Sequence, residues 1–123
     1  MKNIISVDTT KNSFKISREF DVSVSVPDMH KGPAKQFDGL NVGVVTMDKA
    51  SNNGEVHFEG DEILYIISGE LSLTSDSNPN ESLSLRAGES CIIKKGEWHK
   101  VSVIKPAQLI YITPGLNNEH RAI

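Results

Sequence analysis

Gly54-Glu55-Val56-His57-Phe58-Glu59-Gly60-Asp61-Glu62, followed by the apolar run Ile63-Leu64-Tyr65-Ile66-Ile67 and closed by Ser68-Gly69, is the stretch on which the reading of this chain turns. Successive side chains on a strand point to opposite faces, so Glu55 and His57 share one wall while Val56 and Phe58 face the other way. Glu59-Gly60-Asp61 reads as a turn, after which Glu62 opens a second strand. With Glu62 facing the interior, Leu64 and Ile66 do so too, and Tyr65 and Ile67 fall on the outer surface. Two carboxylates and an imidazole are thereby expected beside the core, where polar groups are costly unless they are used.

Outward from this stretch the chain keeps the same character. Phe20 to Val26 and Leu40 to Met47 read as strands, the first alternating apolar and polar residues and the second weakened or bent at Gly43. Glu70-Leu71-Ser72-Leu73-Thr74 and Glu81-Ser82-Leu83-Ser84-Leu85 alternate on either side of the turn formers 75–80, the pattern of a hairpin. Cys91-Ile92-Ile93, His99 to Val103 and Gln108 to Thr113 add further strands, with Lys105-Pro106 between the last two. Asp28 to Asp38 reads as a surface loop and Asp48 to Gly54 as a turn-rich connection. No window shows a capped 3.6-residue period, so the expected class is all-β, with many short strands closing into a barrel or a two-sheet jelly roll. The expected division is an N-terminal arm over 1–18, one barrel domain over 19–115 and a polar, loosely ordered C-terminal tail over 116–123.

A chain of 123 residues with 37% hydrophobic and 24% charged residues fits one soluble domain with a single core. A formal net charge of −3 with interspersed signs offers no basic field for nucleic acid or anionic membrane. The start lacks the apolar core of a secretory signal, and no run approaches the roughly 20 apolar residues that span a bilayer. The single cysteine, Cys91, precludes an internal disulfide and fits a reducing compartment, the cytoplasm.

His99 opens a strand just after Lys94-Lys95-Gly96-Glu97-Trp98, a loop able to carry it to the same barrel mouth as His57 and Glu62. Two imidazoles with one or two carboxylates suit a divalent transition metal: iron, manganese, nickel or zinc. The subset His57, Glu62 and His99 matches the two-histidine, one-carboxylate arrangement of non-haem iron sites with open positions.

These residues resemble the cupins, whose first motif is Gly, five residues, His-x-His, three or four residues, Glu, six residues, Gly. The second motif is Gly, five residues, Pro-x-Gly, two residues, His, three residues, Asn. Here Glu55 stands in place of the first histidine, His57 is the second, Glu62 follows, and Gly69 comes six residues later. Gly88, Gly96 and His99 match the second motif, whereas Lys94 replaces its proline, Val103 its asparagine, and Lys49 the first glycine. The short spacing from Gly69 to Gly88 resembles that of small microbial cupins. The resemblance implies a double-stranded β-helix barrel with metal ligands at Glu55, His57, Glu62 and His99. It also implies oxygenase, isomerase or lyase chemistry on a small organic molecule, and a homodimer consistent with outward Tyr65 and Ile67.

Glu55 is the departure with chemical weight. As a ligand it would leave a site with two carboxylates, neutral with a divalent cation and a weaker Lewis acid than a three-histidine site. Off the metal it would serve as a general base. Leu64, Ile66, Trp98 and Val101 are expected to shape the pocket, with Trp98 either stacking on a ligand or packing. Cys91 reads as a buried, inert thiol, and Lys94-Lys95 as a solvated turn or an anion-steering pair. Glu59 and Asp61 shape the turn, and His30 and His120 are set aside as loop and tail residues. The competing readings are a non-catalytic ligand-binding or sensing module with structural or no metal, and, as a third, a purely structural dimeric scaffold.

Overall fold

The computed structural model describes residues 3–26, 36–49 and 53–122. The expected loop at 28–38, His30 included, lies largely outside the described residues. Those residues contain no helix and form nine antiparallel strands: β1 (Ser13–Ser17), β2 (Val22–Ser25), β3 (Gly39–Met47), β4 (Asn53–His57), β5 (Glu62–Ser75), β6 (Leu83–Arg86), β7 (Ser90–Ile93), β8 (His99–Pro114) and β9 (Asn118–Ala122). The expectation of an all-β chain holds.

Two long strands organise the fold. The C-terminal half of β8 lies between β3 and the first half of β5, with Val42 opposite Ile112 and Ile63 opposite the same residue on the other side. β1 and β2 continue this half-sheet beyond β3, and β7 continues it beyond β5. The N-terminal end of β8 instead lies between β4 and the last residues of β5, with β9 outside β4 and β6 outside β5. One continuous sheet therefore curls into two halves that share β5 and β8.

The bend sits where the sequence suggested strand ends. Glu62, Leu64 and Ile66 are buried and their odd-numbered neighbours exposed, but after Gly69 the buried positions become Leu71 and Leu73. That one-residue slip of phase coincides with register shifts at Ile66/Ser68, Ser68/Glu70 and Glu70/Leu71, a bulge that turns the strand without ending it. Gly69 has φ +82°, and a Cβ there would lie 2.1 Å from the carbonyl oxygen of Pro106. Only glycine allows the two backbones to approach this closely. Pro106, which has no amide to donate, occupies β8 where the ladder is already interrupted.

The core gathers side chains from both halves: Leu64, Ile66 and Leu109 from one, Leu71, Leu73 and Leu85 from the other, with Ile93 and Ala107. Two expectations change. The strand at Phe20–Val26 is shorter and, as an edge strand with one partner, leaves Val22 and Val24 exposed; alternation marks faces but not what covers them. The segment expected as a loosely ordered tail contains β9, paired with β4 from Asn53–Ala122 to His57–Asn118. Its backbone partners, not its own polar composition, make it a strand.

Candidate metal centre

The cluster forms where the two half-sheets meet. β4 supplies Glu55 and His57, β8 begins with His99, and the register sets Glu55 directly opposite His99 on one side and opposite His120 of β9 on the other. Glu62 opens β5 in the other half-sheet. His57, Glu62 and His99 are buried, at 5%, 5% and 4% exposure, so the charged groups of the seam are largely removed from water. The loop before His99 is tied down from three sides. Asp61 accepts hydrogen bonds from Lys94 Nζ and Lys95 N, Gly96 N donates to His57 O, and Glu97 accepts from the amide and hydroxyl of Ser77. Asp61 thus does more than turn the chain.

Both histidines have one ring nitrogen committed outward. Asn118 donates through Nδ2 to Pro114 O at 2.8 Å, which turns its Oδ1 toward His57; His57 Nδ1–H donates to that oxygen at 2.9 Å. His99 Nδ1–H donates to Glu97 O at 3.1 Å. In the neutral rings this leaves Nε2 of each as a bare lone pair directed into the seam.

Those lone pairs face a carboxylate. His57 Nε2 lies 3.3 Å from Glu62 Oε2, and His99 Nε2 lies 3.4 Å from Glu62 Oε1. Thr113 Oγ1 donates to Glu62 Oε2 at 2.5 Å. Although His57 Nε2 is within ion-pair distance of Glu62, it has no partner of hydrogen-bond geometry and is fully buried. Lone pair against carboxylate is repulsive unless a positive charge lies between them, so the seam needs protons or a cation. Without metal, protons fill that role. Burial disfavours charge on Glu62, but the facing His57 and His99 imidazoles, 3.3 and 3.4 Å away, outweigh it and hold its carboxyl at about 2. Burial also opposes the two imidazolium forms, and Glu62 more than compensates, raising both histidines above their ordinary value.

The donor set fits a divalent metal equally well. Two atoms each about 2.1 Å from one ion and subtending roughly 105° lie roughly 3.3 Å apart, the spacing that Glu62 keeps with both Nε2 atoms. Glu55, His57 and His99 each offer a ligand atom, all within 4.8 Å of one another. Glu55 Oε2 faces His99 Nε2 at 3.9 Å, while its Oε1 accepts from His120 Nε2 at 2.9 Å. Sequence reasoning missed His120 and Asn118; their two-residue spacing was visible, but nothing local announces that 118–122 pairs with the ligand strand.

A cavity of about 590 Å³ adjoins the centre, with His99 on its wall beside Leu73, Leu83, Cys91, Ile93 and Lys95. Of the residues expected to shape a pocket, Leu64 and Ile66 lie in the core and Val101 packs against it. Trp98 carries the Arg121 guanidinium over its ring at 4.2 Å. Burial raises the Cys91 thiol pKa, as expected for an inert thiol. Tyr65 and Ile67 are exposed, and among the described residues no helix is long and apolar enough to cross a membrane.

Comparison with known proteins agrees with this geometry. The cupin domain model matches residues 43–114, more than half the chain. A cupin-2 domain containing protein from Shewanella frigidimarina is similar in structure, with TM-score 0.54 and 22% identity over 71% of this chain and 83% of that one. The EutQ protein of Clostridium difficile is 29% identical with TM-score 0.50, over 63% of this chain and 58% of its own. HppE, solved with cobalt(II) and substrate, is 26% identical with TM-score 0.50, over 60% of this chain and 44% of its own. Among curated protein sequences none matches. With both motifs brought to one seam of a curled β-sheet and the family model spanning them, the chain belongs to the cupin domain family.

Proposed function

We propose that this cupin binds one divalent transition metal through His57, His99 and Glu62, with Glu55 as the fourth ligand, and is a metal-dependent enzyme acting on a small organic molecule. The observation that carries the metal reading is the buried Nε2 of His57, unpartnered and facing a carboxylate while its Nδ1 is held by Asn118. The cobalt(II)-bound HppE supports the same reading by analogy with a protein that shares the barrel.

Bound there, the metal would act as a Lewis acid and orient substrate, in the manner of oxygenase, isomerase or lyase chemistry. The chain's own residues do the rest. Thr113 and the two imidazoles hold Glu62 ionised, and Leu73, Leu83 and Ile93 give the space next to His99 an apolar side for substrate. Glu55, with its side chain 37% exposed, is the one carboxylate of the cluster that could also accept a proton from substrate. We place the protein in the cytoplasm on its single cysteine, and assign the exposed Ile63, Tyr65 and Ile67 to a homodimer face, which light scattering tests.

Metal analysis of untagged protein, repeated on His57→Ala and His99→Ala, tests the assignment. The wild type is expected to retain close to one equivalent of metal after reconstitution and the variants a small fraction; a wild type as empty as the variants overturns it. Oxygen uptake with a panel of enols, thiols and sugars separates enzyme from binder. Tight ligand-induced thermal shifts without turnover would favour the binding module.

A further inference from the structure

β9 runs antiparallel to the ligand strand in a register that sets Asn118 opposite His57 and His120 opposite Glu55. Each pair is joined by a 2.9 Å hydrogen bond: His57 Nδ1–H to Asn118 Oδ1, and His120 Nε2–H to Glu55 Oε1. Both residues of the ligand strand that face the seam therefore have their outward polar atom held by the same neighbouring strand, two residues apart on one face. We infer that β9 is the positioning strand of the metal centre: Asn118 fixes the tautomer and ring plane of His57, and His120 fixes the carboxylate of Glu55 with Oε2 turned toward His99. This rests on the metal reading above.

The remaining contacts of β9 support the assignment. A glutamate whose side chain is 37% exposed has several rotamers that turn its carboxylate into water, and a single donor on Oε1 selects the one directed inward. His120 Nε2 is committed to Glu55 Oε1 at 2.9 Å, so it acts through Glu55. Asn118 is in turn fixed by Pro114 O at the end of β8. On the opposite face of β9, Arg121 pairs with Asp76 and lies over the ring of Trp98, the residue before His99. Asp76 follows Ser75, the residue opposite His99 on β5. The outer face thus anchors β9 to the strands whose inner face carries the site. Hydrogen bonds to metal ligands tune affinity through orientation and basicity, typically by about 10- to 100-fold.

Cobalt(II) titration of the full-length protein, read by visible absorption at fixed pH, tests this with Asn118→Ala, His120→Ala, His120→Gln and Arg121→Ala, each checked for native circular dichroism. Asn118→Ala and His120→Ala are expected to weaken cobalt(II) binding by about 10- to 100-fold and to alter the absorption bands. His120→Gln, which keeps a donor for Glu55, should recover most of the affinity and the wild-type spectrum, and Arg121→Ala should leave the spectrum unchanged. Wild-type affinity and spectrum in both alanine variants would overturn the positioning role while leaving the metal reading intact. So would an Arg121→Ala variant that reproduces their loss, since strand docking alone would then explain it. A wild type that takes up no cobalt(II) overturns the metal reading itself, and the inference with it.

Discussion

The seam brings two imidazoles to one buried carboxylate, and Glu62→Gln is the perturbation that tests their coupling in metal-free protein. Glu62 has an ordinary pKa of 4.5 and is held at about 2 in the fold, because the facing His57 and His99 imidazoles outweigh burial. A folded pKa below the unfolded one contributes stability above the unfolded value and loses it as the pH falls through the folded one. The difference of 4.5 minus about 2 corresponds to about 3 kcal/mol. His57 and His99 work in the other direction. Both are raised above 6.5, so their contribution is present below pH 6.5 and fades as the pH climbs through the folded values.

The two limbs overlap between pH 4.5 and 6.5, where carboxylate and imidazolium coexist in both states, and there the cluster stabilises the fold most. For a chain of 123 residues, about 3 kcal/mol is a melting shift of roughly 12 °C. Thermal melts by circular dichroism in chelator, from pH 2.5 to 9, should therefore show a hump for the wild type and a flatter profile for Glu62→Gln. The variant loses its acid limb at this site, since the amide does not titrate. Profiles that run parallel across the whole range would refute the cluster reasoning, whatever the absolute stabilities.

Gly69→Ala should destabilise by about 3 kcal/mol or more, because it combines left-handed strain with a Cβ 2.1 Å from the Pro106 carbonyl oxygen. Gly88→Ala, at φ +86° with nothing within 4 Å, should cost only about 1 kcal/mol, and equal losses for the two in urea denaturation would contradict the close approach. Thr113→Val removes the hydroxyl that donates to Glu62 and should cost about 1 to 3 kcal/mol in metal-free protein, with weaker metal retention; unchanged stability would mean that Glu62 does not rely on this donor. Cys91 should react slowly with maleimide at neutral pH, because burial raises its thiol, and the adduct should abolish ligand-induced thermal shifts by filling the cavity; rapid labelling of folded protein would speak against that environment.

Much of the site was legible because it is local. Period-2 alternation is enough to set Glu55 with His57 and Glu62 with Leu64 and Ile66, and the burial of Glu62, Leu64 and Ile66 follows that phase. What lies beyond a bulge was not legible. Nothing in Ser68-Gly69-Glu70 distinguishes a strand end from a one-residue slip within a continuous strand; that depends on Pro106, distant in sequence, coming against Gly69. β9 was hidden for a related reason. Asn118 to Ala122 has little apolar content, and its strand character comes from pairing with β4 across more than sixty residues of chain. Leu64 and Ile66 point inward as expected, and the cavity beside His99 is lined by Leu73 and Ile93, from β5 and β7.

The replacement of the first motif histidine by Glu55 then acquires a physical context. A neutral imidazole at that position would offer one lone pair inward and need an acceptor behind it, as His57 has in Asn118. A carboxylate reverses the requirement: it needs a donor behind it, or its second oxygen remains an uncompensated acceptor. His120 meets that need at 2.9 Å from the strand that already orients His57. The exchange of charge at the centre and the character of the strand behind it are therefore consistent with each other, which a dismantled site would not require. The same seam accommodates protons or a cation because both satisfy Glu62 and the two inward lone pairs, so proton release on metal binding is inherent in the arrangement.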